Sequence, residues 1–433
     1  MDQFKNRRKV LIDMIDDGIV CVPSSKFHIR SNDTEYPFRQ NSNFFYLTGC
    51  KEDDSLLIIS KLKSESKVIL YVRENNPNET LWTGPRIGIE KAKSSFGIDD
   101  VRDIKTFNKE EIESLLKGHT QLYFDLFSED EVIQMLKKEA NLLSVKRGSE
   151  INIIAFQNVN NLVHKMRLIK SKDEINCIKK AISITANAHH IAMKSAKPGL
   201  MEYEIYAKLI YEFISNGAFS EAYNAIVAGG NNANILHYTA NNDVLKEGDL
   251  LLIDAACEYN TYSSDITRTF PINGVFSNIQ RRIYQKVLDV QLMVIDKIRP
   301  GIRRDELQIY SEELLCQALI DLGALKGELK ELLKEKSFKK YAPHGIGHWM
   351  GLDVHDPCPY VEKDGTSIIL QAGMVMTIEP GIYFPLNDNT IPVELRGIGI
   401  RIEDNILVTK DGYENLSSMI AKSIDDIEQI CSK

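Results

Sequence analysis

Over roughly the first 145 residues, short apolar runs at Gly18–Pro23, Ser55–Ser60, Lys67–Val72 and Gln121–Phe124 read as strands. They alternate with stretches such as Glu110–Leu116 and Glu131–Lys137, where apolar residues recur at helical spacing. That alternation predicts an α/β domain of modest size. Between about 145 and 170 the pattern loosens in SVKRGSEINIIAFQNVNNLVHKMRL, which puts a boundary near Ile169–Ser171 and two domains at 1–170 and 171–433. Ser171-Lys172-Asp173-Glu174 has the form of a capping box. Ile175, Ile178, Ile182 and Ala186 then follow at helical spacing until Pro198-Gly199, so a long helix opens the second domain.

That domain carries a faint internal echo. Lys197-Pro198-Gly199-Leu200 precedes a helical pattern over Glu202–Asn216, and Arg299-Pro300-Gly301-Ile302 sits likewise between patterns over 281–298 and 305–322. Each helix pair is followed by strand-like segments, so two helix–helix–sheet halves are expected to face one another.

The composition is that of an ordinary soluble globular protein, with 433 residues, 43% hydrophobic and 26% charged. With 61 acidic against 53 basic side chains the net charge is −8, which gives no basic footprint for nucleic acid. MDQFKNRRKVLIDMIDDG is charged from residue 2 and lacks the apolar core of an export signal. The longest apolar runs, such as Leu250–Ile253, stop at an acid and are too short for a membrane span. Seven cysteines, an odd number without CxxC spacing, read as buried free thiols of a cytoplasmic protein.

Five acids or histidines are lodged in or against apolar strand patterns, where an unpaired charge is costly. They are Asp254 in LLLIDAAC, Asp265 in YSSDITRTF, His348 in HGIGHWMG, Glu379 in VMTIEPGIY and Glu403 in GIGIRIEDNIL. Glu258-Tyr259-Asn260 reads as a hairpin turn that returns Asp265 beside Asp254. Pro380-Gly381 stops a strand at Glu379, and Arg401 and Glu403 fall on one face of a single strand at i, i+2. Singly, each is an ordinary turn former or cap. Together, four carboxylates carry −4 with no equal cationic set, so they must take up protons or bind cations. Two divalent ions supply +4, a bridging hydroxide leaves −1, and Arg401 offsets that. The oxygen-rich donor set with one imidazole favours Mn2+ or Co2+ over a closed structural zinc site. Such a pair makes water reactive and polarises a carbonyl, so hydrolysis is the expected chemistry.

Four of the nine histidines, His237, His344, His348 and His355, fall in NILHYT and HGIGHWMGLDVHD. His344 and His348 have the spacing of a helical zinc pair, but Gly345 and Gly347 remove the helix and the glutamate that HExxH needs. A glycine-tolerant loop presenting histidines to a crevice fits better, with His237 and His355 placed to bond a carbonyl or oxyanion. His189-His190 in the opening helix read as core. No GxxxxGK[ST], GxGxxG or GxSxG occurs, so neither a nucleotide site nor a serine hydrolase is indicated.

These runs, in this order, resemble the metal-dependent aminopeptidase P and prolidase group with the pita-bread fold, and the likeness covers nearly the whole chain. DTEYPFRQNSNFFYLTG and LWTGPRIG resemble the N-terminal domain of aminopeptidase P in particular. The resemblance implies an α+β fold, a pita-bread catalytic domain behind a smaller N-terminal α/β domain. It implies Asp254, Asp265, His348, Glu379 and Glu403 as ligands of two divalent ions, Mn2+ foremost with Co2+ or Zn2+ possible. Asp265 and Glu403 would bridge both ions, and Glu379 would also shuttle the proton. His237 and His355 would hold the scissile carbonyl, His344 would shape the proline pocket, and Tyr383 and Arg401 would orient ligands. The implied reaction is release of the first residue from a peptide whose second residue is proline. An X–Pro dipeptidase and a non-catalytic peptide-binding module are the alternatives, and a homodimer or homotetramer is implied. Ala256-Cys257 stands where the family often has glycine, a change expected to affect packing only. Trp82 resembles a residue that can reach a neighbouring subunit; a buried core position is its ordinary alternative.

Overall fold

In a computed structural model that describes residues 2–432, the chain forms two compact units divided between Met166 and Arg167. The N-terminal unit is built on a six-stranded sheet. Asp100–Asp103, Glu65–Val72, Leu56–Leu62, Gly18–Pro23, Gln121–Phe124 and Ala155–Asn158 lie side by side in that order. Gly18–Pro23 pairs antiparallel with Leu56–Leu62 and parallel with Gln121–Phe124, and this central place is why its apolar run is uninterrupted. Asn108 and Asp130 cap helices Lys109–Leu116 and Glu131–Val145 through their side chains. The second helix runs on past Lys137 because Ala140 and Leu143 continue its buried stripe beside Ile133 and Leu136.

The stretch expected to be loose is not. It holds strand Ala155–Asn158 and helix Asn160–Arg167. That strand is at the sheet edge and half exposed, so its sequence lacks the apolar run that marks a buried strand. Trp82 does not occupy a core position: it is 85% exposed on helix Pro77–Thr83.

The second unit opens with helix Lys172–Ser195, and the Ser171 capping box is fully formed. Helix Glu202–Ser215 follows, then strands Ile226–Gly229, Leu250–Asp254 and Thr267–Pro271, which pair antiparallel in that order. Helices Asn278–Ile295 and Arg304–Asp321 then precede Val375–Ile378, Gly381–Phe384, Ile398–Arg401 and Asp404–Val408. The helix–helix–sheet order thus occurs twice. One hydrophobic core joins both halves: Ile184, Phe213 and Leu251 of the first share it with Val287, Leu319 and Ile406 of the second.

Three local features differ from the sequence expectation. The hairpin turn lies at Asn260-Thr261, both with positive φ (50° and 70°), one step beyond the expected place, and joins Cys257–Tyr259 to Tyr262–Ser263. Opposite Asp254 stands Thr267 rather than Asp265, which lies just before that strand. Arg401 and Glu403 also do not share a strand. Ile398–Arg401 pairs with Gly381–Phe384 while Asp404–Val408 pairs with Val375–Ile378, so Ile402-Glu403 is a junction between two ladders.

Candidate metal centre

Ladder ends set the site. Asp254 terminates Leu250–Asp254, Glu379 follows Val375–Ile378 directly, and Glu403 fills the junction, its N–H donating to the carbonyl of Thr267 at 3.0 Å. Asn405 holds Asp265 from both sides, accepting its N–H at 3.1 Å and donating to its carbonyl at 2.6 Å. His348 lies on the loop that follows helix Arg304–Asp321 and its short successors. Thr377 clamps that loop, its hydroxyl accepting the His348 N–H at 3.0 Å and its N–H bonding the His348 carbonyl at 2.9 Å. A Cβ on Gly347 would lie 1.9 Å from the Thr377 carbonyl oxygen, so only glycine permits this approach.

A cavity of about 470 Å³ is lined by His237, Asp254, Asp265, His344, His348, His355, Glu379, Arg401 and Glu403. Every acid, histidine and arginine singled out for chemistry in the sequence therefore faces one space. Ligand atoms of Asp265, His348 and Glu403 come within 4.8 Å of one another. His348 bonds the Trp349 carbonyl through Nδ1 at 3.1 Å, which turns Nε2 toward Asp265 Oδ2 at 3.3 Å and Glu379 Oε1 at 3.7 Å. An imidazole so held presents its free nitrogen as a ligand. The donor set, four carboxylates and one oriented imidazole, fits hard or borderline divalent cations.

The side chains around the carboxylates are also partnered. Arg401 donates from Nη2 to Asp254 Oδ2 at 2.7 Å, from Nη1 to the Tyr383 hydroxyl at 2.8 Å and from Nε to Thr267 Oγ1 at 3.1 Å. Thr267 Oγ1 in turn donates to Glu403 Oε2 at 2.7 Å. Tyr223, which no sequence pattern singles out, donates to Asp254 Oδ1 at 2.6 Å. The Gly345 carbonyl can only accept, so a neutral His344 donates to it from Nδ1 at 2.9 Å and accepts the Tyr383 hydroxyl proton at Nε2 at 2.8 Å. Both ring nitrogens of His344 are thereby occupied.

The protonation preferences follow from gathering acids and imidazoles away from water. Burial raises Asp254 and Glu403 above the usual carboxylate range, and pushes Glu379 up to about 7. Burial alone would lower His348, but Asp265 and Glu379 beside it raise it to about 9. Burial, then the charge of Arg401, bring His344 down to about 4, so its ring is neutral. Burial and the charge of His348 lower His355 as well.

Four carboxylates gathered with histidines around one pocket define a metallohydrolase. Residues 176–410 match the model of metallopeptidase family M24, and residues 4–123 match that of the aminopeptidase P N-terminal domain. The chain belongs to metallopeptidase family M24 and has its pita-bread fold. It is 39% identical to the Xaa-Pro aminopeptidase of Haemophilus influenzae, over 99% of this chain and 97% of that protein. It is 37% identical to Xaa-Pro aminopeptidase 3 of Homo sapiens, over 96% of this chain and 81% of that one. Among solved structures, aminopeptidase PepP of Pseudomonas aeruginosa matches with a TM-score of 0.95 and 36% identity, covering 100% of this chain and 98% of its own. Zinc-substituted E. coli aminopeptidase P in complex with product matches with a TM-score of 0.95 at 35% identity, covering 100% and 98%.

Proposed function

We propose that this protein releases the N-terminal residue from peptides whose second residue is proline. The observation that carries the reading is the single cavity that receives the four carboxylates and all four histidines of the two motif stretches. Similarity over nearly the whole length to proteins named Xaa-Pro aminopeptidase supports the substrate class. Asp254, Asp265, His348, Glu379 and Glu403 would hold two divalent ions, the role of shared ligands falling to Asp265 and Glu403. Mn2+ suits the oxygen-rich set, and Co2+ or Zn2+ can replace it. Such ions, when bound, supply water acidic enough to attack a carbonyl near neutral pH. Glu379 accepts the proton of the attacking water and returns it to the departing proline nitrogen. His237 and His355 donate N–H bonds to the scissile carbonyl oxygen as charge develops there. His344, its nitrogens engaged by Tyr383 and Gly345, contributes a neutral ring to the wall of the pocket. Arg401 holds Asp254 in place and balances the acid cluster. An X–Pro bond has no N–H to offer a strand-like clamp, so a pocket has to recognise it.

Five of the seven free cysteines are buried, which supports a reducing, cytoplasmic setting. Among the described residues no helix is long and apolar enough to cross a membrane. Exposed Leu81 and Trp82 suit a contact between copies in a dimer or tetramer.

The test is product analysis by mass spectrometry of an X-Pro-Y-Z peptide with metal-free and Mn2+-restored protein. The expected result is metal-dependent loss of one N-terminal residue. Cleavage of X–Pro dipeptides alone would make the protein a prolidase, and hydrolysis by metal-free protein would overturn the metal-dependent mechanism.

A further inference from the structure

The ladders that carry Glu379 and Glu403 meet at an interruption. Ile378 pairs with Asp404 at the end of one, and Gly381 with Arg401 at the start of the other. Between them the Ile402 N–H donates to the Pro380 carbonyl at 3.3 Å. In an antiparallel pair the return bond would run from the N–H of residue 380 to the Ile402 carbonyl. Proline has no N–H to give. A buried carbonyl left without a donor is costly, so another group has to reach it.

Gln291 does so. It lies on helix Asn278–Ile295 and is fully buried. Its Nε2 donates to the Ile402 carbonyl at 3.1 Å and to the Ile378 carbonyl at 3.2 Å. Those residues immediately precede Glu403 and Glu379. The carboxamide cannot be flipped, because its Oε1 accepts from Lys422 Nζ at 2.9 Å and an ammonium only donates. Lys422 is in turn paired with Asp404, whose Oδ1 takes Arg268 Nη2 at 2.7 Å. Arg268, fully buried, donates from Nη1 to the Glu403 carbonyl at 2.6 Å. One side chain therefore spans the two backbone segments that end in carboxylates, and a buried ion network fixes its orientation.

We infer that Gln291 is a positioning residue that sets the spacing of Glu379 and Glu403 and, through it, the affinity of the centre for its second cation. The inference rests on the reading of those two glutamates as ligands. Pro380 creates the need for a donor, and Gln291 meets it from outside the ladder. The carboxamide touches neither substrate nor ion, so its removal acts on metal affinity through the geometry of two other side chains.

The experiment titrates metal-free protein with Co2+ alone, follows the visible absorbance of the bound ion, and records thermal unfolding of the same metal-free samples. Gln291→Met keeps the length of the side chain and removes both donors. The second equivalent of Co2+ should then bind tenfold or more weakly. Affinity within twofold of the parent protein overturns the inference. Gln291→Glu retains the oxygen for Lys422 without the donors and should weaken the second equivalent likewise. Pro380→Ala on the Gln291→Met background restores an N–H opposite the Ile402 carbonyl and should recover most of the lost affinity. Absence of that recovery overturns the inference even where Gln291→Met lowers the thermal midpoint. A parent protein that takes up fewer than two Co2+ overturns the two-ion reading itself, an outcome distinct from any result with the variants.

Discussion

Asp356 follows His355 directly, so its replacement by Asn tests how the loop that brings His355 to the cavity is anchored. The carboxylate is 2% exposed, and it accepts Lys170 Nζ at 2.9 Å and Arg167 Nη2. Lys170 and Arg167 are themselves buried, at 4% and 2% exposure. Backbone bonds extend the anchor: the Asp356 N–H donates to the Trp349 carbonyl at 2.9 Å, and the Lys170 N–H to the Gly373 carbonyl at 2.8 Å. Removing one partner of such a buried set leaves an uncompensated charge and costs about 3–5 kcal/mol. Asn retains an oxygen for one cation and Arg167 keeps Asp353, which places the loss near the lower end of that range. The assay is urea unfolding followed by tryptophan fluorescence in a Trp82→Phe background. Trp349 is then the sole tryptophan, it is fully buried, and it adjoins the network. The midpoint should fall with the denaturant slope unchanged. Burial works against the Asp356 carboxylate, but Lys170 and Arg167 bring it below its ordinary range. Its contribution is therefore present above its unfolded pKa and is lost as pH falls through the lower folded value, and Asp356→Asn should abolish that acid-side loss. A destabilisation under about 1 kcal/mol, the scale of an exposed ion pair, would refute the reasoning.

Metal binding should be coupled to pH. Glu379, raised to about 7, and His348, raised to about 9, both stabilise the metal-free fold at low pH and lose that contribution as pH rises through those values. Calorimetry should therefore show Mn2+ raising the melting temperature more at pH 8 than at pH 5, and an equal increment at both would contradict the site's protonation. Glu403→Gln should lose bound metal and hydrolysis together, and elemental analysis finding both ions retained would remove Glu403 as a shared ligand. His355→Ala should keep its metals and lower kcat by about 10²-fold or more, the scale of a lost oxyanion donor, while unchanged kinetics would place the ring outside the reaction.

How much of the fold the sequence discloses depends on burial. Gly18–Pro23 and Gln121–Phe124 are legible end to end because central strands are covered on both faces and read as unbroken apolar runs. The start of helix Lys172–Ser195 is legible because its cap is a local hydrogen-bond pattern written in four residues. Ala155–Asn158 is not, since an edge strand held by backbone pairing needs no apolar signature. The split at Ile402-Glu403 is hidden for a related reason. GIGIRIEDNIL has a continuous strand pattern, and what divides it is the missing N–H of Pro380 across the ladder, some twenty residues away in sequence.

The site divides along the same line. An acid inside an apolar run stands out by itself, which is why Asp254, Asp265, Glu379 and Glu403 are visible in the amino-acid pattern alone. Their partners are not. Tyr223, Thr267 and Gln291 are ordinary residues for a loop, a strand and a helix, and only the fold shows that each spends its hydrogen bonds on a carboxylate or on the backbone beside one. Arg268, which no sequence pattern singles out, is fully buried behind Glu403. The distinction is physical. Charge clustering requires a counter-ion, and that requirement can be counted along a sequence. Holding four mutually repelling carboxylates around one cavity requires donors from other elements, and that requirement is met only where the ladders of two half-domains end together.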